Sequence, residues 1–184
     1  QAIRFLLDTD SSDIWLLDSN STFCESENGT ANIDSDSNST LANETASRSD
    51  AYQCKFVNVF YPEDSSSFVS NDLDFHVQYD DYSYANGTWS QDTFSFGYPS
   101  FYDVNIALVS ETNLTVGSLG LGLRANQATN QGDDPFVYNS LLYRLKTQGW
   151  IEKIAYSVYT SELNGTGGGI FFGGLYHDLY KGNV

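Results

Sequence analysis

Apolar positions along this chain fall in short, closely spaced runs and not in long stripes. Ile3, Phe5 and Leu7 alternate with Ala2, Arg4 and Leu6, the period-two pattern of a strand. Ile14-Trp15-Leu16-Leu17 is continuously apolar and predicts a second strand, buried on both faces. Between them, Asp8-Thr9-Asp10-Ser11-Ser12 reads as a tight polar turn. From residue 55 onward the pattern predicts mostly short strands. They fall at Phe56, Phe75–Tyr79, Gly87–Trp89, Thr93–Phe96, Val104–Val109 and Ala155–Tyr159. The segment Asp80 to Asn86 reads as a hairpin tip. Only Tyr138–Gln148 predicts a helix, with Leu141, Leu142 and Leu145 on one face and Gln148-Gly149 as its stop. Many short strands with one or two short helices predict an all-β barrel or sandwich.

Residues 18–54 break this pattern. Ser, Thr, Asn, Asp and Glu dominate there, which predicts a polar insert and not a core element. Cys24 and Cys54, the two cysteines of the chain, bracket most of it and form one possible bridge, consistent with an oxidising compartment. Closing that loop contributes roughly 3–4 kcal/mol in the chain-entropy picture. Asp34-Ser35-Asp36-Ser37-Asn38 resembles the start of a calcium loop, but Ser39 replaces its Gly and Thr45 its final Glu, so a solvated acidic loop is the expectation and no metal is. Asn-x-Ser/Thr sequons at Asn20, Asn28, Asn38, Asn43, Asn86, Asn113 and Asn164 all fall in polar, turn-like stretches where a glycan has room.

Composition narrows the chemistry. The chain has 184 residues, 40% of them hydrophobic, enough for one domain with a real core. Against 8 basic side chains stand 24 acidic ones, a formal net charge of −16. Nucleic acid is therefore not an expected partner, and a cationic one is favoured. No apolar run approaches the roughly 20 residues that span a bilayer. A Ser–His–Asp triad lacks a nucleophile elbow near His76 or His177. Gly165-Thr166-Gly167-Gly168-Gly169 lacks the Lys-Ser/Thr ending of a phosphate loop and reads as a hairpin turn. Carboxylate chemistry remains. Asp8 sits between two apolar strands, where a carboxylate must be hydrogen-bonded or functional. The hydroxyls of Thr9, Ser11 and Ser12 lie in the same turn, so a structural Asx turn and a catalytic acid both fit the residues.

Phe5-Leu6-Leu7-Asp8-Thr9-Asp10-Ser11-Ser12-Asp13-Ile14-Trp15 resembles the first active-site segment of pepsin-like aspartic proteases, apolar-apolar-Asp-Thr-Gly-Ser-Ser-x-apolar-Trp. Further matches follow in order along essentially the whole chain. Val59-Phe60-Tyr61-Pro62 with Ser65-Ser66-Ser67-Phe68 resembles the family's Phe-x-Pro…Ser-Ser-Thr-Phe stretch. Val77-Gln78-Tyr79 with Gly87-Thr88-Trp89 resembles its flap hairpin. Gly117-Ser118-Leu119-Gly120-Leu121-Gly122 resembles the segment beside the active-site loop. Ile170-Phe171-Phe172-Gly173-Gly174 with Tyr180-Lys181-Gly182 resembles the turn where the first lobe gives way to the second. The polar insert and the run from Leu145 to Ser157 are most similar to the fungal yapsin branch.

The resemblance implies an all-β, pepsin-like N-terminal lobe over residues 1–184. It implies Asp8 as catalytic aspartate and Thr9 as a brace between lobes. Ser11 becomes the hydroxyl on the catalytic carboxylate. Tyr79 becomes the flap tyrosine, with Trp15 packed near it. It implies an aspartic endopeptidase that needs no cofactor, acts on peptide or protein substrates and favours Lys or Arg near the scissile bond. In such enzymes two carboxylates share a proton and hold the attacking water. It further implies a secreted or surface-bound protein, through a lipid anchor C-terminal to this sequence, and a monomer when complete.

Three departures stand out. Asp10 occupies a family Gly position and adds a carboxylate beside Asp8. Asp80 and Tyr82 replace two glycines of the flap tip, and Asp80 with Asp81 makes that rim acidic. No second Asp-Thr/Ser-Gly occurs in the 184 residues. The expectation is therefore one lobe of a longer enzyme, without its leading strand and its second lobe, and inactive alone. A protease-fold binding protein that does not hydrolyse is the alternative.

Overall fold

The computed structural model describes residues 1–21, 59–130, 135–160 and 167–182. Cys24, Cys54, the calcium-like segment from Asp34, the strand expected at Phe56 and the sequons at Asn28, Asn38, Asn43 and Asn164 lie outside the described residues.

Nine strands are described: β1 (Phe5–Asp8), β2 (Ile14–Asp18), β3 (Val59–Phe60), β4 (Val69–Gln78), β5 (Tyr84–Ser95), β6 (Ser100–Thr112), β7 (Gly117–Gly120), β8 (Tyr156–Thr160) and β9 (Gly168–Phe172). The first seven form a mixed sheet in the order β1-β7-β2-β6-β5-β4, with β3 alongside β2; β8 and β9 form a separate antiparallel pair. This is the strand-dominated architecture that the alternating pattern predicts.

The position of β7 organises the site. It pairs in parallel with β1, Asp8 opposite Gly120, and antiparallel with β2, Ile14 opposite Leu119. The turn from Asp8 to Asp13 is thus gripped by a strand more than a hundred residues away in sequence.

The continuous apolar run of β2 has a clear reason. Ile14 and Leu16 point into one core cluster, Trp15 and Leu17 into another. Because side chains alternate across a strand, β2 is buried on both faces, as its composition predicts. On one face it meets Leu141, Leu142 and Leu145 of helix α1 (Leu141–Thr147). Each such leucine contributes roughly 1.5–3 kcal/mol by leaving water. On the other face Trp89 and Phe75 pack edge-on at 5.0 Å.

Several details differ from the sequence reading. The strand expected at Phe75–Tyr79 begins at Val69, the one expected at Val104–Val109 runs from Ser100 to Thr112, and Tyr84, Ala85 and Asn86 of the expected hairpin tip belong to β5. The helix is shorter than Tyr138–Gln148. Ser140 is its N-cap, with extended φ −60° and ψ 170°, and Tyr138 instead carries its hydroxyl to Asp13. The strands expected at Gly87–Trp89 and Thr93–Phe96 are one strand, β5, because β6 pairs along its whole length and absorbs an irregularity between Asp92 and Phe94. Gly168 and Gly169, read as part of a turn, belong to β9. A Cβ on Gly168 would lie 2.6 Å from the Tyr159 carbonyl oxygen, which explains glycine in a paired strand.

Candidate active site

Asp8 ends β1 and turns its carboxylate back over its own loop. Oδ1 accepts the backbone N–H of Asp10 at 2.8 Å and of Ser11 at 3.1 Å. Oδ2 accepts the Ser11 hydroxyl at 2.6 Å, with the Ser118 hydroxyl at 3.5 Å. The backbone bonds to residues two and three positions on are those of an Asx turn. The carboxylate builds its own loop and also lines the cleft.

Glycines let the two segments meet. Leu121 donates to the Asp8 carbonyl at 2.8 Å, Gly120 to that of Asp13 at 3.0 Å and Gly122 to that of Ser11 at 2.7 Å. A Cβ at Gly122 would sit 1.9 Å from the Asp10 carbonyl oxygen, and one at Gly120 2.4 Å from backbone atoms of Asp13. Asp10 is exposed. The described non-glycine residues with positive φ are Asp72, Tyr82 and Asp103, so Asp10 needs no left-handed backbone and replaces glycine without strain. Its carbonyl accepts the Asn126 side-chain amide at 2.9 Å. Thr9 is exposed beside Asp8.

The β4–β5 hairpin covers this loop. Trp15, fully buried, donates its indole N–H to the Tyr79 hydroxyl at 2.9 Å. Burial raises the pKa of Tyr79, the Trp15 bond opposes that, and the charges of Asp8 and Asp13 add to the rise. The hairpin turn is closed by Tyr79 N–H to Ser83 carbonyl at 2.8 Å and Tyr82 N–H to Tyr79 carbonyl at 2.9 Å. Asp81 accepts both the backbone N–H of Ser83 at 2.9 Å and its hydroxyl at 2.6 Å. These bonds lower the pKa of Asp81. Tyr82, in place of a family glycine, has φ 65° and is 80% exposed.

Between loop and hairpin lies an open cleft of about 660 Å³. Asp8, Asp10, Ser11, Trp15, Tyr79, Asp80 and Asp81 all line it. Of the residues expected at the catalytic loop and flap, all but Thr9 thus line one cleft.

Sequence reasoning missed a second layer. Asp13 is only 3% exposed. It accepts the Tyr138 hydroxyl at 2.5 Å and the Ala128 N–H at 2.8 Å. Burial raises its pKa, the two hydrogen bonds counter that, and the charge of Asp8 adds to the rise. Tyr138 is pushed well above its ordinary value of 10.0 by burial and by Asp13. The Ser12 hydroxyl donates to the Leu123 carbonyl. The signal for Asp13 and Ser118 lay inside the quoted motifs. For Tyr138 there was none, since only the fold brings it there.

The candidate sequons differ in setting. Asn20 is exposed in the turn after β2, its N–H bonded to Asp18. Asn113 accepts the Tyr84 N–H at 3.0 Å from an exposed turn. Asn86 lies in β5 between His76 and Glu111.

Comparison with known proteins bears on the family of the chain. The family model described as eukaryotic aspartyl protease matches residues 1–184. Aspartic proteinase MKC7 of Saccharomyces cerevisiae is 28% identical over the whole of this chain and 37% of its own length. Secreted aspartic protease 3 of Candida albicans is 30% identical over the whole chain and 40% of its own length. An acid protease of Saccharomycopsis fibuligera is 36% identical over 65% of the chain and 31% of its own length. The chain thus spans less than half the length of these relatives. On the match along its full length, this chain belongs to the eukaryotic aspartyl protease family.

Proposed function

We propose that this chain is the N-terminal lobe of a secreted or cell-surface aspartic endopeptidase, with Asp8 as one of its two catalytic carboxylates. The observation that carries the reading is the Asp8 carboxylate, held by two backbone N–H groups and the Ser11 hydroxyl at the floor of the cleft. Those donors fix its plane, so an attacking water bound to it meets a substrate carbonyl in a set orientation. One carboxylate takes the water proton while the other polarises the peptide carbonyl. The second carboxylate comes from a second lobe, and this chain alone is inactive. Tyr79, steadied by Trp15, closes the hairpin over the substrate and keeps bulk water out.

The cleft also supports a preference for basic residues. Asp10, Asp80 and Asp81 line it together with Asp8, and among the described residues no Lys, Arg or His does. A carboxylate rim raises the local concentration of cationic peptide and favours Lys or Arg beside the scissile bond. Export is supported by the secreted relative in Candida albicans; glycans at exposed Asn20 and Asn113 and a Cys24–Cys54 bridge fit that route.

A binding protein without hydrolysis is the second reading. The strained Tyr82 at the flap tip favours it. The two part on a direct assay. The protein carrying both lobes is incubated in acid with a Lys-containing protein, and new N-termini are read by mass spectrometry. Cleavage next to basic residues is the expected result. Tight binding with no new N-termini would make the second reading the right one.

A further inference from the structure

The bend between β6 and β7 stands at the root of the flap hairpin. It carries the sequon Asn113-Leu114-Thr115, whose middle residue is not proline, as a glycan acceptor requires. Asn113 and Thr115 are exposed. Leu114 and Val116, which alternate with them, line the cleft. The same short segment thus forms part of the cleft wall and presents a glycan acceptor beside it.

Side chains of this region clamp the first residue of β5. Asn113 Oδ1 accepts the Tyr84 N–H at 3.0 Å, and the Thr112 hydroxyl donates to the Tyr84 carbonyl at 2.5 Å. The Leu114 N–H donates to the Thr112 hydroxyl oxygen at 3.0 Å. Both backbone groups of Tyr84 are therefore held from outside its own strand. Tyr84 follows directly on the turn closed by Tyr79 and Ser83, so the clamp fixes the hairpin at its root.

The clamp also sets the Asn113 amide. Only its oxygen can accept the Tyr84 N–H, so the nitrogen is the other end. Among the described residues nothing bonds to that nitrogen. Asn86 is the reverse case, because its nitrogen donates to Glu111 at 3.3 Å and its oxygen meets His76 at 2.5 Å. A sugar on Asn113 replaces one N–H of the free nitrogen and leaves the bond from Tyr84 intact. Anchor and acceptor are then compatible in one side chain.

We infer that Asn113 carries an N-linked glycan that stands beside the cleft wall at the flap root and filters substrates by size. The inference rests on the reading of the chain as part of an exported endopeptidase. A glycan is bulky and strongly hydrated. Its first sugar is held in place, because the bond from Tyr84 restrains the asparagine that bears it. A short or unfolded peptide enters the cleft as a single extended chain and passes the glycan. A folded protein must bring the surface around its scissile loop up to the rim, where the glycan meets it. The filter acts by exclusion and needs no contact between sugar and Asp8. It slows cleavage of folded proteins and spares peptides.

The test uses the protein carrying both lobes, secreted from a yeast. Enzymatic release of N-glycans in heavy-oxygen water, followed by peptide mass spectrometry, should place the label on Asn113. An unlabelled Asn113 would overturn the proposal. Thr115→Ala removes the sequon while Asn113 keeps its bond to Tyr84. Two substrates carry the same Lys-containing sequence, one as a short peptide and one as a loop of a folded protein. In Thr115→Ala, kcat/KM for the peptide should be unchanged and that for the folded protein should rise several-fold. Trimming the wild-type glycan to a single sugar should give the same gain, and it carries the test if the variant fails to fold. The same ratio of the two rates with and without the glycan would sink the filter. If the wild type cleaves neither substrate, the endopeptidase reading fails instead. The filter is then read from binding of the same two ligands, with the folded one again gaining several-fold on loss of the glycan.

Discussion

At the residue scale, one carboxylate and its donors decide what the loop can do. Asp8 shapes the turn through Oδ1 and meets hydroxyls through Oδ2. Asp10 and Tyr82 both stand where the family has glycine, and their outcomes differ. Asp10 keeps an ordinary backbone, whereas Tyr82 takes φ 65°, a region that costs a residue with a Cβ about 1–2 kcal/mol. Tyr82→Gly should therefore be more stable than Tyr82→Ala by about 1 kcal/mol in denaturant unfolding. Equal stability would show that the turn relaxes around any side chain. Asp13 is the other decisive residue. Its pKa is raised above the ordinary 3.8 by burial, so the fold favours its protonated form. The stability this gives is complete below the ordinary value and is lost as pH rises through the raised one. In Asp13→Asn, the side-chain oxygen still accepts the Ala128 N–H and the amide donates to Tyr138. The variant should fold and show a smaller drop in melting temperature between about pH 4 and pH 7. An unchanged drop would move the effect to another group.

At the scale of elements, the flap hairpin joins structure to selectivity. Asp81 is held below its ordinary 3.8, first by the Ser83 hydroxyl and then by the Ser83 N–H. Its tether is present above that value and is lost only as pH falls through the lowered one, so the tip stays tied in moderate acid. Asp80→Asn with Asp81→Asn, in the protein with both lobes, should lower kcat/KM for Lys or Arg substrates several-fold and spare neutral ones. An unchanged ratio would take the flap out of the account of specificity. Elements were legible where their pattern was local. The period-two run of β1, the double-faced run of β2 and the leucine face of α1 follow from neighbouring residues. The helix start did not, because Tyr138 is diverted to Asp13 by a contact across 125 residues. Nor did the unity of β5, which depends on its pairing with β6.

At the scale of the molecule, β7 joins the two ends of the active-site loop. Gly120 and Gly122 allow an approach that any Cβ would block. This is why the Phe5–Trp15 segment, the flap hairpin and the Gly117–Gly122 segment, far apart in sequence, meet at one cleft. The buried support behind it, Asp13 with Tyr138 and Ser12 with Leu123, could not be read from spacing, since each pair spans more than a hundred residues. The central claim is that Asp8 performs the chemistry of a two-lobed endopeptidase. The most direct measurement compares peptide hydrolysis in acid by the protein carrying both lobes with that by its Asp8→Asn variant, with binding of a non-cleavable peptide recorded alongside. The account predicts that Asn lowers kcat about 10²–10⁴-fold or more while peptide binding is kept. Hydrolysis that survives Asp8→Asn at the original rate would contradict it.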